Sequence, residues 1–346
     1  MRALPSARPL AIGICLASIV GVVVAQSLPV AGDGATTGTQ MVTAVQIESF
    51  LTAGFGEPVQ GLVWRGGLEM QSQVDTFGGL SGIAFTGPDH RLTMVSDRGN
   101  FISGQLIYDE TGRPLSLIGV TIDPIQNSQG NELPRAFARD AEGIATIVRD
   151  GEPAAVRVAF ENLTRVADFQ LVDARPTGPA REVPIPDWLT RTRTNASLES
   201  ICIAPPASPV AGSTVLLTEG VIDDAGLHAG WLLGVNDRGP LSYQSEDGTN
   251  PTDCAFLPNG DLLVLERGIA FLTFTMRLKR VPADAVRPGA PMQGEILLQA
   301  SGGGIDNMEG LAVHTGPDGQ TRITLISDNN FTDWQRHLLL EFSLPE

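Results

Sequence analysis

Residues 307–328 read NMEGLAVHTGPDGQTRITLISD, with two short apolar runs on either side of a GPDG segment. The first run follows an acidic residue, Glu309, and the second ends at another, Asp328. Each run is about four residues long, which suits a β-strand, because a helix normally needs ten or more. Gly-Pro-Asp-Gly is typical of a hairpin turn. The stretch therefore predicts a β-hairpin with a carboxylate near each of its open ends.

The same pattern occurs at four earlier places in the chain. These copies run from Leu80 to Asp97, from Glu142 to Glu161, from Glu199 to Glu219 and from Asp253 to Glu266. The leading acids of the last four copies lie 57, 54 and 56 residues apart. A period in the fifties, with a hairpin at the head of each unit, is typical of four-stranded propeller blades. We predict an all-β β-propeller with five blades, or six if one blade has a degenerate motif.

The two ends of the repeat region complement each other. Residues 338–342 (LLLEF) predict a third strand in the last unit, which then lacks its outer strand. Residues 61–70 (GLVWRGGLEM) come before the first copy and have the composition of a strand. Pairing these N- and C-terminal strands would remove the open sheet edge. The sequence thus predicts that the ring is closed by its own termini.

The composition limits the function classes. The chain has 346 residues, with 23 Lys and Arg against 39 Asp and Glu, so its formal net charge is −16. Phosphate backbones repel such a protein, which argues against nucleic acid as a partner. Lys279 is the only lysine, so the Gly-Lys-Ser/Thr sequence of a P-loop is absent. A hydrophobic content of 42% allows a large core and excludes an acidic disordered chain.

The N-terminus has the features of an export signal. Arg2 and Arg8 precede the apolar residues 10–25, a run of 16 that is short for a membrane span. We predict a signal peptide over 1–25, a flexible linker over 26–45 and the propeller over 46–346. Cleavage after Ala31 and an uncleaved anchor are the alternatives. A cleaved chain would be periplasmic or secreted, with no stable membrane insertion.

Two cysteines, Cys202 and Cys254, remain in the predicted mature chain. In an exported protein they can form one disulfide. They can equally be two buried thiols that pack as small hydrophobic side chains. The sequence leaves both alternatives open.

The leading acids predict a metal site. Innermost propeller strands run along the central channel, so equivalent positions of successive blades meet around one axis. Two like charges about 8 Å apart cost about 2 kcal/mol at an effective dielectric constant of ~20, which favours a bound cation. Many oxygen ligands suit Ca²⁺, whereas the four histidines share no repeat position and disfavour Zn²⁺. The predicted Ca²⁺ ligands are Glu142, Glu199, Asp253 and Glu309.

Other residues near the predicted ring suggest catalysis and anion binding. Asp97 and Asp328 end their strands, where each could complete the metal shell or position a water as a base. Arg98 and Arg267 follow strand-end acids and could hold a phosphate through their guanidinium groups. The alternative is architectural: one acid per blade can hold a turn or accept backbone N–H groups, and the arginines can neutralise the acids.

Six short strings resemble the phytase-like domain family, which carries the label "esterase-like activity of phytase". They are GLSGI at 79–83, SDRG at 96–99, DAEGI at 140–144, LESI at 198–201, NMEGL at 307–311 and LISDNNF at 325–331. The resemblance extends over about residues 46–346. It implies an exported bacterial β-propeller hydrolase that acts on phosphate or carboxylic esters. The fourth copy departs from the pattern, because it reads TDCA at 252–255.

These observations predict a Ca²⁺-assisted phosphoesterase whose partner is a small-molecule phosphate ester. A non-catalytic propeller that binds a ligand or partner on its acidic face is the first alternative. A metal-dependent carboxylic esterase or lactonase is the second, since carboxylate-bound metals support that chemistry without a serine nucleophile.

Overall fold

A computed structural model describes residues 38–134, 136–192, 194, 196–234, 239–271 and 273–345. The predicted signal peptide and residues 26–37 of the predicted linker lie outside the described residues. Within the described ranges, no helix has the length and apolar character that a membrane crossing requires.

The N-terminal part contributes one long strand and four short ones. They are β1 (Val42–Ile47), β2 (Ser49–Phe50), β3 (Ala53–Gly54), β4 (Pro58–Val59) and β5 (Leu62–Ser72). β1 pairs along its whole length with β5, from Val42 opposite Ser72 to Ile47 opposite Gly67. The sheet therefore includes residues 42–45, which the sequence places in the linker.

Each of the first two blades is a four-stranded antiparallel sheet. Blade 1 contains β6 (Leu80–Phe85), β7 (Arg91–Ser96), β8 (Asn100–Tyr108) and β9 (Pro114–Pro124). A short helix, α1 (Ala136–Arg139), leads into blade 2. Blade 2 contains β10 (Ala141–Arg149), β11 (Glu152–Phe160), β12 (Arg165–Val172) and β13 (Arg175–Val183).

The next two blades have the same order of strands. After helix α2 (Asp187–Arg191), blade 3 contains β14 (Leu198–Ile203), β15 (Thr214–Ile222), β16 (His228–Leu233) and β17 (Gly239–Tyr243). Blade 4 contains β18 (Asn250–Phe256), β19 (Leu262–Ala270) and β20 (Thr273–Val281), followed by a 3₁₀ turn at Ala283–Ala285. β21 (Pro291–Met292) then pairs with the outer edge of blade 3, and β22 (Glu295–Ser301) completes blade 4.

The last blade joins both ends of the chain. It contains β23 (Asn307–Thr315), β24 (Thr321–Asp328) and β25 (His337–Ser343), and its outer strands are β5 and then β1. β25 pairs with β5 from His337 opposite Met70 to Ser343 opposite Val63. The innermost strands β6, β10, β14, β18 and β23 contact one another in a ring. The predicted β-propeller and its closure are confirmed, and the described residues form five blades.

The core lies between the blades. Most residues of the inner and middle strands are buried, because neighbouring blades cover both faces of each sheet. Because both faces of these strands are buried, their sequences are continuous apolar runs rather than alternations of apolar and polar residues. In the largest cluster, the ring centroid of Phe50 lies 5.4 Å from that of Trp64 and 5.1 Å from that of Phe342.

A disulfide links the innermost strands of blades 3 and 4. Cys202 on β14 and Cys254 on β18 are bonded, with Cα atoms 5.7 Å apart and a sequence separation of 52. Of the two alternatives that the sequence leaves open, the structure has the disulfide. Both cysteines are buried, and each packs in the cluster that also contains Val215 and Val264.

We expect the Cys202→Ala/Cys254→Ala variant to lose about 2–4 kcal/mol of unfolding free energy, because the unfolded chain gains the entropy of the opened loop. Urea denaturation of the oxidised protein and of the variant measures the difference. Wild-type protein that has been reduced before unfolding should match the variant. An unchanged urea midpoint would show that the crosslink contributes nothing to stability.

Candidate functional site

The inner hairpin of every blade contains a β-bulge at the same place. The register shifts lie between Leu80 and Gly82, Ala141 and Gly143, Leu198 and Ser200, Pro251 and Asp253, and Met308 and Gly310. The skipped residue is left out of the strand pairing, so a bulge turns its side chain in a new direction. We call these five residues the bulge ring: Ser81, Glu142, Glu199, Thr252 and Glu309.

In the fourth blade, the structure shows that the sequence-based match of the repeats is wrong by one residue. The leading-acid pattern matches Asp253 to the other leading acids, but the strand register puts Thr252 at that position. Asp253 corresponds instead to glycines in three other blades, Gly82, Gly143 and Gly310. A Cβ atom at Gly143 would lie 2.7 Å from the carbonyl oxygen of Glu199, so the inner strands approach closely at this level.

Asp253 therefore connects two blades. Its Oδ1 accepts a hydrogen bond from the Cys254 N–H at 2.8 Å, and its Oδ2 accepts one from the Leu311 N–H in blade 5 at 2.7 Å. Its side chain is completely buried. Both of its oxygens are used by the backbone, as the architectural alternative predicts for acids of this kind.

The second ring lies on the middle strands next to the bulges, where three of these strands end and β15 and β19 continue for a few residues. The residues that pair with the inner-strand residue just before each bulge are Ser96, Phe160, Thr218, Glu266 and Ser327. The residues that follow them form what we call the strand-end ring: Asp97, Glu161, Glu219, Arg267 and Asp328. Glu266, which the sequence pattern placed in this ring, instead accepts hydrogen bonds from Tyr243 Oη at 2.6 Å and Thr249 Oγ1 at 2.7 Å. The fourth blade thus contributes a cation where the other four contribute acids.

Three carboxylates of blade 2 converge at this end of the channel. One oxygen each from Asp140, Glu142 and Glu161 lies within 4.8 Å of the other two, and this cluster could hold a metal ion. Side-chain hydrogen bonds join Glu142 to Asp140, and Glu199 of blade 3 to Glu161. The Ser197 N–H also donates to Glu161 Oε1 at 2.9 Å. The structure therefore brings the predicted residues Glu142 and Glu199 together.

Asp140 is the member of this cluster that the leading-acid pattern misses. It lies two residues before Glu142, just before β10 begins, and its carbonyl oxygen accepts the Glu161 N–H at 2.9 Å. Asn162 donates from Nδ2 to Asp140 Oδ2, which fixes the carboxylate. The signal was present in the alternation Asp140-Ala141-Glu142, since alternate residues of an extended chain point to the same side.

Burial and crowding raise the pKa values of these acids. Burial, together with the charges of neighbouring acids, raises the pKa of Glu142 and of Glu199 well above the usual range. Burial also raises the pKa of Glu161 to about 7, with the charge of Asp140 adding to the effect. It raises the pKa of Glu309 to about 7 although Arg267 opposes the shift. Several of these carboxyls therefore hold protons near neutral pH when no cation is bound.

Asp97 is placed to exchange a proton. Burial raises its pKa to about 7, and the charges of Asp328 and Asp140 add to the effect. Its Oδ1 is buried and has no hydrogen-bond partner among the described residues. A Cβ atom at Gly79 would overlap this oxygen, so the position next to it accommodates only glycine. In Asp328, burial also raises the pKa, and Oδ1 accepts the Asn330 N–H at 2.7 Å.

The two arginines predicted to bind phosphate have different surroundings. Arg267 donates to Asn307 Oδ1 at 2.7 Å, to Glu219 Oε1 at 2.9 Å and to Glu309, so it bridges blades 3 and 5. Arg98 is exposed, and its guanidinium carbon lies 3.2 Å from the ring centroid of Phe331. Its guanidinium has no hydrogen-bond acceptor within the described part of the chain. Arg98 can therefore bind an anion, whereas Arg267 neutralises its neighbours.

We expect the metal-free protein to lose stability as the pH rises from about 4.5 to about 7. In the folded state the pKa values of Glu161, Glu309 and Asp97 rise to about 7, and these three shifts outweigh the opposite effect of His337, whose pKa falls to about 4. The folded state therefore holds more protons in this window. Unfolding free energy therefore falls with increasing pH, and we expect the Tm to fall by roughly 5–10 °C. Thermal unfolding in EDTA at pH 4.5, 6 and 8 measures the effect. A Tm that rises over this range would contradict the assigned pKa directions.

Comparison with solved structures finds other propellers at low similarity. One is the PQQ-bound form of aldose sugar dehydrogenase from Streptomyces coelicolor, at 13% identity and a TM-score of 0.42, covering 78% of this chain and 95% of that one. Another is U3-55K, at 8% identity and a TM-score of 0.40, covering 78% and 96%.

A family comparison gives a closer result. No protein with a curated description matches the chain. The family model described as "Phytase-like: Esterase-like activity of phytase" matches residues 75–331, which include both rings and all five inner hairpins. The match spans more than half of the 346 residues, and the chain belongs to this phytase-like family.

Proposed function

We propose that the protein is an exported hydrolase of phosphate esters, assisted by Ca²⁺ bound at the mouth of the channel. The observation that carries the proposal is the convergence of Asp140, Glu142 and Glu161, each with an oxygen within 4.8 Å of the others. Membership in a family described by esterase-like activity supports ester hydrolysis.

The donor set fits a hard divalent cation. Ca²⁺ takes about 6–8 oxygen ligands from carboxylates, carbonyls and waters, and the carboxylates here lie together at one end of the channel. Burial and the charges of neighbouring acids raise the pKa values of Glu142 and Glu161. A bound cation would stabilise the charged carboxylates and so offset both effects. The ligands that we propose are Asp140, Glu142, Glu161 and Glu199.

Two residues of the sequence-based metal set are not part of this proposal. Asp253 uses both carboxylate oxygens to accept backbone N–H groups. Glu309 is paired with Arg267, which leaves it less charge to offer a metal. Both residues stabilise the contacts between blades 4 and 5.

The neighbouring residues have distinct roles in the proposed reaction. When held by Asp140, Glu142, Glu161 and Glu199, a divalent cation would supply Lewis-acid charge neutralisation to the phosphoryl group. Arg98, with uncommitted donors, holds a phosphoryl oxygen. Asp97 removes a proton from the attacking water as the P–O bond to the alcohol breaks, and the departing oxygen takes a proton from solvent. A pKa of about 7 suits Asp97 to a base near neutral pH.

The disulfide supports the export part of the proposal. Disulfides persist in the periplasm and outside the cell and are rare in the cytosol. The Cys202–Cys254 bond links two innermost strands, β14 and β18. With the signal-like residues 1–25, it favours a periplasmic or secreted location.

Phosphate release from p-nitrophenyl phosphate tests the proposal. We expect turnover by the purified protein with added Ca²⁺ and at least about a 100-fold loss after chelation, because the remaining acids would repel the phosphate. Circular dichroism would confirm that the chelated protein is folded. A folded, Ca²⁺-supplied protein without turnover would contradict the proposal. Hydrolysis of a lactone or carboxylic ester under the same conditions would then favour the esterase alternative, and no hydrolysis would favour a binding propeller.

A further inference from the structure

A cleft opens beside the strand-end ring, between the connection from β24 to β25 and the segment that leads from β5 into blade 1. Its volume is about 610 Å³. The residues that line it come from 69–75, from Phe77 and Arg98, and from 329–337. Arg98 lines the cleft and directly follows Asp97 in the chain, so a ligand bound to the Arg98 guanidinium would lie where the strand-end ring and the cleft meet.

Apart from Arg98, the side chains that line the cleft provide little positive charge for binding an anion. Arg336 also lines it, but it donates to Asp306 Oδ2 at 3.2 Å and to the carbonyl oxygens of Gly303 and Ile305 at 3.0 and 2.8 Å. His337 packs edge-on against Phe77, and burial lowers its pKa to about 4, so the ring is neutral at physiological pH.

Acceptors dominate the rest of the lining. Glu69, Asp75 and Asp333 contribute carboxylates, and the last two residues are exposed to solvent. A hydroxyl or ammonium group would find acceptors here, whereas an additional phosphate would meet like charges.

We propose that this cleft binds the alcohol part of the substrate, and that the substrate carries one phosphate on an uncharged or cationic alcohol. One free guanidinium, that of Arg98, matches one phosphate. A polyphosphorylated alcohol would place its other phosphates against Asp75 and Asp333. This inference rests on the proposed phosphoesterase function and names its substrate class.

Rates of phosphate release from three esters test the inference. The probes are phosphocholine, glycerol phosphate and inositol hexakisphosphate, each assayed with the Ca²⁺-supplied full chain. We expect kcat/KM for phosphocholine to exceed that for inositol hexakisphosphate at least tenfold, with glycerol phosphate between them. In the Asp75→Asn/Asp333→Asn variant, the ratio of the phosphocholine to the hexakisphosphate value should fall by about tenfold.

A charge-matched control separates a local effect from a change in net charge. Asp150 and Asp173 lie in hairpin turns of blade 2, at the opposite end of the propeller from the rings. The Asp150→Asn/Asp173→Asn variant removes the same charge and should leave the ratio unchanged. Equal ratios in both double variants would show that the cleft carboxylates do not select the substrate.

The outcomes distinguish the two proposals. A higher kcat/KM for inositol hexakisphosphate than for phosphocholine would overturn the inference about the cleft while supporting phosphoesterase activity. Phosphate release from none of the three esters, by folded protein with Ca²⁺, would contradict the proposed function itself.

Discussion

Replacement of Glu142 by glutamine is expected to lower kcat/KM for phosphate-ester hydrolysis at least about 100-fold. Glu142 belongs to both the bulge ring and the cluster with Asp140 and Glu161. The amide has nearly the same shape as the carboxyl but no negative charge, so it removes a Ca²⁺ ligand without opening a cavity. Calorimetric titration with Ca²⁺ should show a weaker Kd in parallel with the loss of activity.

Unfolding cannot account for this expected loss. Burial and the neighbouring acids raise the pKa of Glu142, so an uncharged amide removes repulsion from the metal-free protein. The Tm of Glu142→Gln in EDTA at pH 8 should therefore equal or exceed that of the wild type. Glu152→Gln is the matched control, since Glu152 is exposed at the start of β11, at the far end of the same blade. Full activity and unchanged Ca²⁺ affinity in Glu142→Gln would remove Glu142 from the metal site.

Replacement of Arg267 by methionine is expected to lower the unfolding free energy at pH 8 by about 3–5 kcal/mol. The guanidinium is the only strand-end cation among the described blades, and it holds Glu219 and Glu309 from the blades on either side. Without it, these two acids stay partly buried with no opposite charge between them. Urea denaturation at pH 8 and at pH 5 measures the cost.

The pH dependence identifies the origin of this cost. The pKa of Glu309 is about 7, so this acid is already protonated in much of the folded protein at pH 5. The loss in Arg267→Met should therefore be smaller at pH 5 than at pH 8. Arg267→Lys keeps the charge but loses the forked geometry, and it should recover part of the stability. Equal losses at both pH values would point to lost packing rather than to unpaired charge.

The repeat made the fold predictable from sequence. Five motif copies with a period in the fifties predicted five or six blades, of which the structure has five, and the strand-like residues 61–70 and 338–342 predicted how the ring is closed. β1 was not predicted, because its alternating VTAVQI pattern is only six residues long and follows a linker-like segment.

The site was less predictable because it depends on strand register. Asp253 and Glu266 match the motif by residue type, but each lies one position away from the ring position, which Thr252 and Arg267 occupy. A slip of one residue moves a side chain to the other face of a strand. The residue types of the fourth motif copy do not show at which residue its bulge lies. Hydrogen bonds across the blades, such as that from Leu311 to Asp253, become visible only in three dimensions.

The pairing of β5 with β25 also controls when the ring can form. β5 lies near the start of the domain, whereas its partner His337–Ser343 is the last strand of the described chain. During synthesis from the N-terminus, β5 has no β25 to pair with until all the other strands of the described chain have been made. Contacts between such distant residues form late and slow the folding of a chain. The last blade, and with it the closed ring, can therefore form only after β25 has been made.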